Sequence, residues 1–518
     1  MARLASKTLL ASLTFFRGSM GNPILSAIQK EAQKLITRHQ RYAFYLHEDT
    51  QRRKRRSGVP WTKKVQIPTY WSDDDGFNPY HVRKHAETIS YALEKAIRAK
   101  QYRPRPAVSY SVLKGDGTSR DVSVFQVADQ AIAGMLFRRL LNKNRSRFSS
   151  KSFAYRTDLS VHDAVIHLSS SFAGHPRIFI AEYDFRKYFD TISHKHLEKT
   201  LDDKRFYITE EERRIIRAFY TCSTHKAGHY NNQHEPPRIR GIPQGVSTSL
   251  FLANLAAHPL DRRLENLRVD FARYADDTIV WSDDYAELCR AVIVLTEAAQ
   301  EMGVEVNMKK SPGIRLLTNE GAATELNSAR YVEFIGYRVN AQTIGIRKSS
   351  ATRIKDHISK LIYTNLLEQP HKQQFVPSRI TGIIDHDYAT MIAQIQRYMY
   401  GDLTEEMLAK YITGDIPKMK YKGLMSFYPI VDDEKQLIQL DGWLLRTIHS
   451  SLRVRAAHFQ SVGISPTAPP HGEPKQFLIS PALKSLRVPS FRKIAHVLRR
   501  AAQVHGPNAV GHTGGPTS

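Results

Sequence analysis

Cysteine is almost absent from this chain. Only Cys222 and Cys289 occur among its 518 residues. Two cysteines cannot form the disulfide framework that stabilises many small secreted domains, and their scarcity suits a reducing compartment. Long apolar runs are also missing, because none approaches the roughly 20 residues that a membrane-spanning helix needs. The sequence therefore predicts a cytoplasmic protein that has no membrane partner.

Acidic residues are scarce relative to basic ones. The chain has 50 Asp plus Glu against 76 Lys plus Arg, and its formal net charge is +26. Such an excess repels itself unless a polyanion neutralises it, and nucleic acid is the natural polyanion. A charge excess by itself is as often a solubility feature. Composition alone leaves both interpretations open.

Two adjacent carboxylates are the most informative feature that is present. They belong to Tyr274-Ala275-Asp276-Asp277, which lies between the apolar stretches 269–273 and 278–281. This pattern predicts a strand, a tight turn and a second strand, with both carboxylates at the tip. Such a pair can face divalent metals. On its own it is also ordinary turn chemistry, since Asp is common in turns.

A second carboxylate ends another predicted strand. Residues 177–183 are apolar on both faces, so we expect a central strand of a sheet that ends at Asp184. Between the two acidic sites, the Gly/Pro segment 241–245 runs into a helical pattern that Ser247 could cap. Glycine in such a loop lets the backbone approach a ligand closely.

These segments resemble the A, B and C motifs of reverse transcriptases, in the order that this family keeps. The three motifs are residues 184–190, 241–245 and 274–277. Other parts of the family's fingers and palm are similar to residues 114–120, 129–130, 152–156, 306–311 and 334–337. The resemblance runs from Lys114 to Val339, which is under half of the chain. It is closest to the bacterial branch that is related to group II introns.

The resemblance implies an α+β fold of the right-hand polymerase type. We expect fingers and palm over residues 101–345, with an antiparallel palm sheet, and an all-helical thumb and C-terminal region over 346–505. Residues 1–100 are expected to form a helical and basic N-terminal extension, and the Gly/Pro/Thr-rich tail 506–518 is expected to be disordered.

The resemblance also implies the catalytic residues. Asp184, Asp276 and Asp277 are expected to be catalytic and to bind two Mg²⁺ or Mn²⁺ ions per active site, with the backbone oxygen of Phe185 as a further ligand. In the family, the counterparts of Asp184 and Asp276 contact the metals most directly.

Five residues are expected to contact the incoming nucleotide: Lys114, Arg120, Phe189, Gln244 and Lys310. Lys114 and Arg120 match fingers cations that meet the triphosphate, and Lys310 lies near the leaving phosphate. Phe189 matches the aromatic residue that excludes a ribose 2′-hydroxyl, although a purely structural aromatic is the alternative. Phe334, Gly336 and Tyr337 are similar to the primer-grip hairpin.

A basic run, Arg52-Arg53-Lys54-Arg55-Arg56, and a turn-rich segment, 71–76, lie between two segments with helical periodicity, 24–36 and 85–97. We expect it to contact the RNA backbone, because the motifs indicate a polynucleotide substrate. A solvated loop and a nuclear address are the alternatives.

The predicted function is RNA-directed DNA synthesis from deoxynucleoside triphosphates on an RNA template. The alternatives are an RNA-binding protein that resembles an intron maturase, and an RNA-dependent RNA polymerase, which Phe189 disfavours. The sequence shows neither a Cys/His endonuclease motif nor a Val-Thr-Gly thumb motif, and it resembles the defence-associated reverse transcriptases most. That group implies phage defence, cDNA made from a partner noncoding RNA or without a template, and homo-oligomers.

Overall fold

The computed structural model describes residues 22–113, 117, 119–175, 177–230, 236–308, 311–318, 327–413 and 421–512. Two residues that were predicted to contact the nucleotide, Lys114 and Lys310, lie outside these ranges. None of the helices in the described ranges combines the length and apolarity that a membrane crossing requires.

The chain begins with one long helix, α1 (Pro23–Ser57). The side chain of Asn22 caps it by accepting hydrogen bonds from the first backbone amides, and Gly58, at φ +68°, ends it. The basic run at residues 52–56 therefore forms the last turns of a helix. Both predicted helical segments form and turns at residues 69–77 lie between them, but the basic run belongs to the first helix and does not lie between the two helices.

The fingers and palm alternate helices with strands. The strands form four sheets within the described residues, and 3₁₀ turns lie at Thr69–Trp71, Asp75–Phe77 and Arg145–Arg147. In chain order the elements are α2 (Pro79–Lys84), α3 (Ala86–Arg98), β1 (Ala107–Leu113), β2 (Ser119–Val124), α4 (Val127–Asn144), α5 (Val161–Phe172), β3 (Arg177–Tyr183), β4 (Phe185–Arg186), α6 (Tyr188–Thr191), α7 (His194–Leu201), α8 (Glu210–Tyr220), β5 (Thr224–Lys226), α9 (Ser247–Glu265), β6 (Asp270–Tyr274), β7 (Asp277–Ser282), α10 (Tyr285–Met302), β8 (Glu305–Val306), β9 (Ile314–Thr318), β10 (Ser328–Ala329), β11 (Val332–Phe334), β12 (Tyr337–Val339) and β13 (Ile344–Ile346).

The palm sheet has the strand order β10-β9-β3-β7-β6. Strand β3 lies in its middle and is antiparallel to both β7 and β9. Alternate residues of β3 are buried on opposite faces: Ile178 and Ile180 join one hydrophobic core, and Ala181 and Tyr183 join the other. The prediction of a central strand that is apolar on both faces is confirmed.

The two cores explain how the parts of the molecule hold together. One core contains α1, the fingers helix α4 and the palm helices α9 and α10. The other core joins the opposite face of the palm sheet, helix α5 and the β11–β13 hairpins to the C-terminal helices. Palm and thumb thus share one core, and the expected boundaries at residues 100 and 345 stay predictions.

The C-terminal region contains only helices among the described residues from Lys348 onward. They are α11 (Lys348–Ile362), a π-helical turn (Tyr363–Leu367), α12 (Glu368–His371), α13 (His386–Tyr400), α14 (Glu405–Thr413), α15 (Glu434–Gln460), α16 (Phe491–His505) and α17 (Pro507–Val510), with 3₁₀ turns at Pro377–Arg379, Leu424–Phe427, Lys475–Ile479 and Pro481–Leu486. The α+β right-hand arrangement with a helical C-terminal region is confirmed.

The predicted disordered tail needs a correction. Residues 507–512 are ordered by contacts with the thumb. The backbone amide of Tyr421 donates to the carbonyl oxygen of Val510 (3.2 Å), and the backbone amide of His512 donates to the carbonyl oxygen of Ser426 (2.8 Å). The amide side chain of Asn508 also donates to Asp163 of α5 (2.9 Å). Gly/Pro content alone did not indicate these partners. Residues 513–518 lie outside the described part of the chain.

Candidate active site

The predicted hairpin carries its two carboxylates at one end of the palm sheet. Strands β6 and β7 pair so that Tyr274 lies opposite Asp277, which leaves Ala275 and Asp276 as a two-residue turn. Ala275 has φ +59°, the left-handed conformation that tight hairpin turns use. Asp276 is half-buried and Asp277 is exposed. Both residues therefore lie at the tip of the hairpin, as the sequence predicted.

A fully buried arginine holds this turn in place. Arg273 donates through Nη1 to the carbonyl oxygen of Ala275 (3.0 Å) and through Nε and Nη2 to both carboxylate oxygens of Asp261 (2.7 and 2.6 Å). The hydroxyl of Ser152 (2.7 Å) and the side-chain oxygen of Asn254 (3.3 Å) also accept from it. Charge-assisted forked bonds of this kind fix geometry.

Sequence reasoning missed the Arg273–Asp261 pair. Burial is the largest single influence on the pKa of Arg273 and lowers it, but the Asp261 carboxylate, together with Tyr188 and Tyr155, raises the pKa, and the net direction is upward. A basic residue inside an otherwise apolar strand was the available signal, because a buried charge requires a partner.

Asp184 lies next to the hairpin. Strands β3 and β7 pair with Tyr183 opposite Thr278, so the antiparallel register puts Asp184 across from Asp277. The Asp184 side chain is nearly buried, with 7 % exposed. The structure thus brings together two carboxylates that are far apart in sequence.

Two further residues, which sequence reasoning did not single out, hold Asp184. The side-chain amide of Asn307 donates to its carboxylate (3.1 Å), and the backbone amide of Asn307 donates to its carbonyl (2.7 Å). The amide of Asp184 donates to the hydroxyl of Ser311 (3.3 Å). Strand β8, which pairs with β4, brings Asn307 to this position. The segment 306–311 was recognised by resemblance, but these contacts were not.

A cavity of about 560 Å³ opens beside these carboxylates. Its lining joins the catalytic end of the sheet to the hairpin of β11 and β12. The lining residues are Glu182, Tyr183, Asp184, Asp277, Thr278, Ile279, Arg315, Ala329, Arg330, Tyr331, Glu333, Phe334, Ile335 and Arg347. Burial raises the pKa of Glu182, while its ion pair with Arg315 opposes that shift.

The donor set at this cavity fits a hard divalent cation. Asp184 and Asp277 both line it, and Phe185 directly follows Asp184. Mg²⁺ typically takes one or two carboxylates and completes its shell with water and substrate phosphates. No group of three or more His, Cys, Asp or Glu side chains in the described ranges is arranged to hold a metal ion. The metal-binding roles of Asp184, Phe185, Asp276 and Asp277 stay predictions.

The predicted sugar-sensing residue, Phe189, is half-buried in the short helix α6. Its ring meets the Tyr155 ring edge-on, with centroids 6.4 Å apart. Tyr155 in turn lies 6.5 Å from the Tyr274 ring. Burial raises the pKa of Tyr155, Asp276 adds to this shift, and Arg120 opposes it. Arg120 and Phe189 therefore lie around the same tyrosine, beside the turn that carries Asp276.

The Gly/Pro loop at residues 241–245 connects the palm to the fingers. Gly241 has φ +75°, and a Cβ there would lie 2.4 Å from the carbonyl oxygen of Asp190, so only glycine fits. The side-chain amide of Gln244 donates to the Asp190 carboxylate (3.1 Å). The backbone carbonyl of Gln244 accepts from the backbone amide of Ser123 (2.7 Å). The loop thus fixes Gln244 between α6 and β2.

The predicted primer-grip residues occupy a tight hairpin. Phe334 and Tyr337 lie opposite each other, and Ile335 and Gly336 form the turn, with φ values of +47° and +84°. Tyr337 is buried in the core and donates its hydroxyl to the carbonyl of Phe427 (2.6 Å). Phe334 and Ile335 instead line the active-site cavity. Tyr337 anchors the hairpin to the thumb, and the hairpin tip lines the same cavity as Asp184 and Asp277.

The five cations of the basic run do not form one exposed strip. Arg52 and Arg53 pair with acids one turn earlier in α1, and Lys54 and Arg55 are exposed. Arg56 is only 2 % exposed and donates to the side chain of Asn365 (2.9 Å) in the thumb.

Comparison with known proteins finds similarity to one family and to several of its relatives. Residues 112–339 match the family model described as reverse transcriptase (RNA-dependent DNA polymerase). The chain is similar to protein YkfC of Escherichia coli (26 % identity over 196 residues, 37 % of this chain and 49 % of the relative). It is also similar to the group II intron-encoded protein LtrA of Lactococcus lactis (25 % over 215 residues, 41 % and 33 %).

The chain therefore covers half or less of the length of these relatives. Among solved structures, telomerase from Candida albicans in complex with a fragment of telomeric RNA is similar at a TM-score of 0.39 and 12 % identity. That similarity covers 74 % of this chain and 68 % of the telomerase chain.

Proposed function

We propose that this chain, whose residues 112–339 match the reverse transcriptase family, is an RNA-directed DNA polymerase. One observation carries the proposal. Asp184 and Asp277 lie opposite each other at the ends of neighbouring strands, and they line a cavity whose other wall is the Phe334–Ile335 hairpin tip. This arrangement suits a primer end held by the hairpin against a carboxylate site.

Different residues of this site would serve different steps of nucleotidyl transfer. Asp184, Asp276, Asp277 and the carbonyl of Phe185 would hold two Mg²⁺ or Mn²⁺ ions. When bound, such ions activate the attacking hydroxyl and neutralise the leaving pyrophosphate. Asn307 fixes the orientation of the Asp184 carboxylate.

Three other residues would bind the nucleotide. Arg120, on the exposed face of β2, would bind the triphosphate with its guanidinium fork. Gln244, held by Asp190, would contact the nucleotide or the template base. Phe189 would lie against the sugar.

A second groove supports RNA as the template. This groove, between α1 and the fingers, has a volume of about 560 Å³ and ends at Gly245, next to Gln244. Its rings lie close together: His39 and Trp71 have centroids 5.1 Å apart, and Tyr70 and Tyr110 are stacked at 6.2 Å. Lys34, Arg38 and Arg138 also line it. Aromatic platforms combined with cations are typical of single-strand binding sites.

The finer assignment is a cytoplasmic enzyme of antiphage defence that makes cDNA from a partner noncoding RNA or without a template, as a homo-oligomer. The motif resemblance to that group and the helical region that follows the palm support it. Sequencing the nucleic acid that copurifies with the full chain would test it. Recovery of cDNA copied from one small RNA would support the assignment, and recovery of host intron RNA without cDNA would favour a maturase-like role instead.

Primer extension by the purified full chain tests the polymerase. We expect dTTP incorporation on oligo(dT) annealed to poly(rA), dependent on Mg²⁺ or Mn²⁺ and abolished by a chelator. An RNA-dependent RNA polymerase would instead prefer UTP on an oligo(U) primer. Failure to incorporate either nucleotide, by a chain that still binds RNA, would contradict the proposal and favour the RNA-binding alternative.

Replacing Phe189 with alanine is expected to relax sugar selection. Without the ring, a ribose 2′-hydroxyl gains space, so the ratio of kcat/KM for ribonucleotides to that for deoxynucleotides should rise about tenfold or more. The Phe189→Tyr variant keeps the ring and is expected to keep the wild-type ratio. Looser packing against Tyr155 would lower the rate with both kinds of nucleotide, so this loss cancels in the ratio. An unchanged ratio in an active Phe189→Ala variant would show that Phe189 only packs.

A further inference from the structure

A basic cavity of about 340 Å³ lies where the last turns of α1 meet helix α13 of the thumb. None of the residues assigned to catalysis lines it. Its walls carry four guanidinium groups and one imidazole, and no carboxylate occurs among its described lining residues. These are Arg52, Arg55, Arg56, Arg379, His386, Ala389, Thr390 and Ala393.

Arg56 shows that this cavity is built for an acceptor. Its side chain is almost completely buried, and Nη1 donates to the Asn365 side chain. Its Nε and Nη2 atoms are buried and have no hydrogen-bond partner in the part of the chain that the structure describes. A buried donor without an acceptor costs about 1–3 kcal/mol, and more when the group is charged. An unpartnered buried donor calls for an explanation, and a bound ligand or ordered water that accepts from it is one.

The neighbouring carboxylates are already engaged. Burial lowers the pKa of Arg56, and Asp387 is the first of the acids that oppose this shift. However, Asp387 accepts hydrogen bonds from both Arg379 (2.9 Å) and Arg455 (2.9 Å). Asp385 is likewise shared between Arg455 and a histidine. Among the lining arginines, Arg52 pairs with Glu48 and Arg379 pairs with Asp387, so the excess of positive charge within the described residues of the cavity rests on Arg55 and Arg56.

The shape of the wall formed by α13 favours an anion as well. The cavity lies along the first two turns of this 15-residue helix, whose first backbone amides are already capped by the Asp385 side chain. The lining side chains here, Ala389, Thr390 and Ala393, are small and leave room beside the guanidinium groups. Guanidinium forks match phosphate oxygens bidentately, so a phosphate can satisfy several donors at once.

We infer that this cavity is a phosphate-binding site that joins α1 to the thumb. Its ligand is a phosphate oxyanion, supplied either by the backbone of a polynucleotide or by a free phosphate such as pyrophosphate. The inference stands on the cavity and does not require polymerase activity. An occupied site would tie α1, which packs on the fingers, to the thumb helices.

The test compares single-charge variants of the full chain without deoxynucleotides or divalent metal. Arg55→Gln removes an exposed cation that lines the cavity, and Arg56→Gln removes the buried one. Lys54→Gln is the matched control, because Lys54 is exposed on the same helix but does not line the cavity. One arm measures the thermal unfolding midpoint with increasing sodium pyrophosphate. The other arm measures binding of a single-stranded RNA oligonucleotide over a salt series.

In the RNA arm, we expect Arg55→Gln to weaken binding about fivefold beyond Lys54→Gln and to reduce the salt slope by about 0.7, the value for one single-strand phosphate contact. In the pyrophosphate arm, a free-phosphate site would raise the wild-type midpoint, and Arg55→Gln would abolish that rise. An effect confined to one arm identifies the source of the phosphate. If Arg56→Gln fails to fold, Arg55→Gln decides alone.

Equal behaviour of Arg55→Gln and Lys54→Gln in both arms would overturn the inference. Any effect would then come from the loss of one positive charge on the helix surface and not from the cavity. The inference and the proposed function fail separately. If the chain makes no DNA but Arg55→Gln still differs from Lys54→Gln, only the proposed polymerase function is contradicted. If the chain makes DNA but the two variants behave alike, only the proposed phosphate site is contradicted.

Discussion

Asp276→Asn and Asp277→Asn are each expected to reduce deoxynucleotide incorporation by at least about a thousandfold. Each replacement is nearly isosteric but removes a negative charge from the site proposed to hold the divalent ions. Charge stabilisation by such ions contributes several kcal/mol to the transition state. A loss of about 4 kcal/mol corresponds to a thousandfold in rate.

The matched control is Asp283→Asn, because Asp283 is an exposed carboxylate just beyond the other end of β7. It should incorporate at the wild-type rate. Thermal unfolding of all three variants should remain close to that of the wild type, since neither hairpin carboxylate belongs to a hydrophobic core. Primer extension at saturating nucleotide measures the effect. Wild-type rates in both Asp276→Asn and Asp277→Asn would remove the basis for placing catalysis at this turn.

The features that the sequence predicted correctly are those that short patterns determine. Residues 177–183 alternate burial between two cores, and their apolar pattern on both faces indicated this directly. The hairpin around Ala275 and Asp276 follows from two strand-like stretches separated by a short polar turn. The Gly241 loop follows from glycine itself, since no other residue fits against Asp190.

The contacts that hold the catalytic residues could not be predicted in the same way. Arg273 binds Ser152, which is 121 positions away, and Asn307 binds Asp184, which is 123 positions away. No local pattern relates such residues, because only the completed sheet and the pairing of β4 with β8 bring them together.

The long helix α1 was misread for a different reason. Its last turns are polar, so they show no apolar periodicity. They remain helical because Arg52 and Arg53 pair with Glu48 and Asp49 at i,i+4 spacing, and because Arg and Lys are good helix formers.

The largest effect on stability is expected at the buried pair behind the catalytic turn. Arg273→Met and Asp261→Leu should each destabilise the fold by about 3–5 kcal/mol, because each leaves the partner's charge buried and uncompensated. Both side chains are completely buried, so solvent cannot screen the remaining charge. Urea unfolding midpoints of the two variants, compared with the wild type, measure this loss.

The double variant separates stability from positioning. Arg273→Met with Asp261→Leu removes both charges and fills the space with apolar groups, so we expect it to recover much of the lost stability. Incorporation should nevertheless stay well below the wild-type rate, because the Ala275 carbonyl no longer has the Arg273 donor that orients the turn carrying Asp276. A misplacement of about 1 Å at a reacting centre can cost a hundredfold in rate. A stable double variant with full activity would show that the pair only fills the core, whereas a stable but slow one would make Arg273 a positioning residue for the catalytic hairpin.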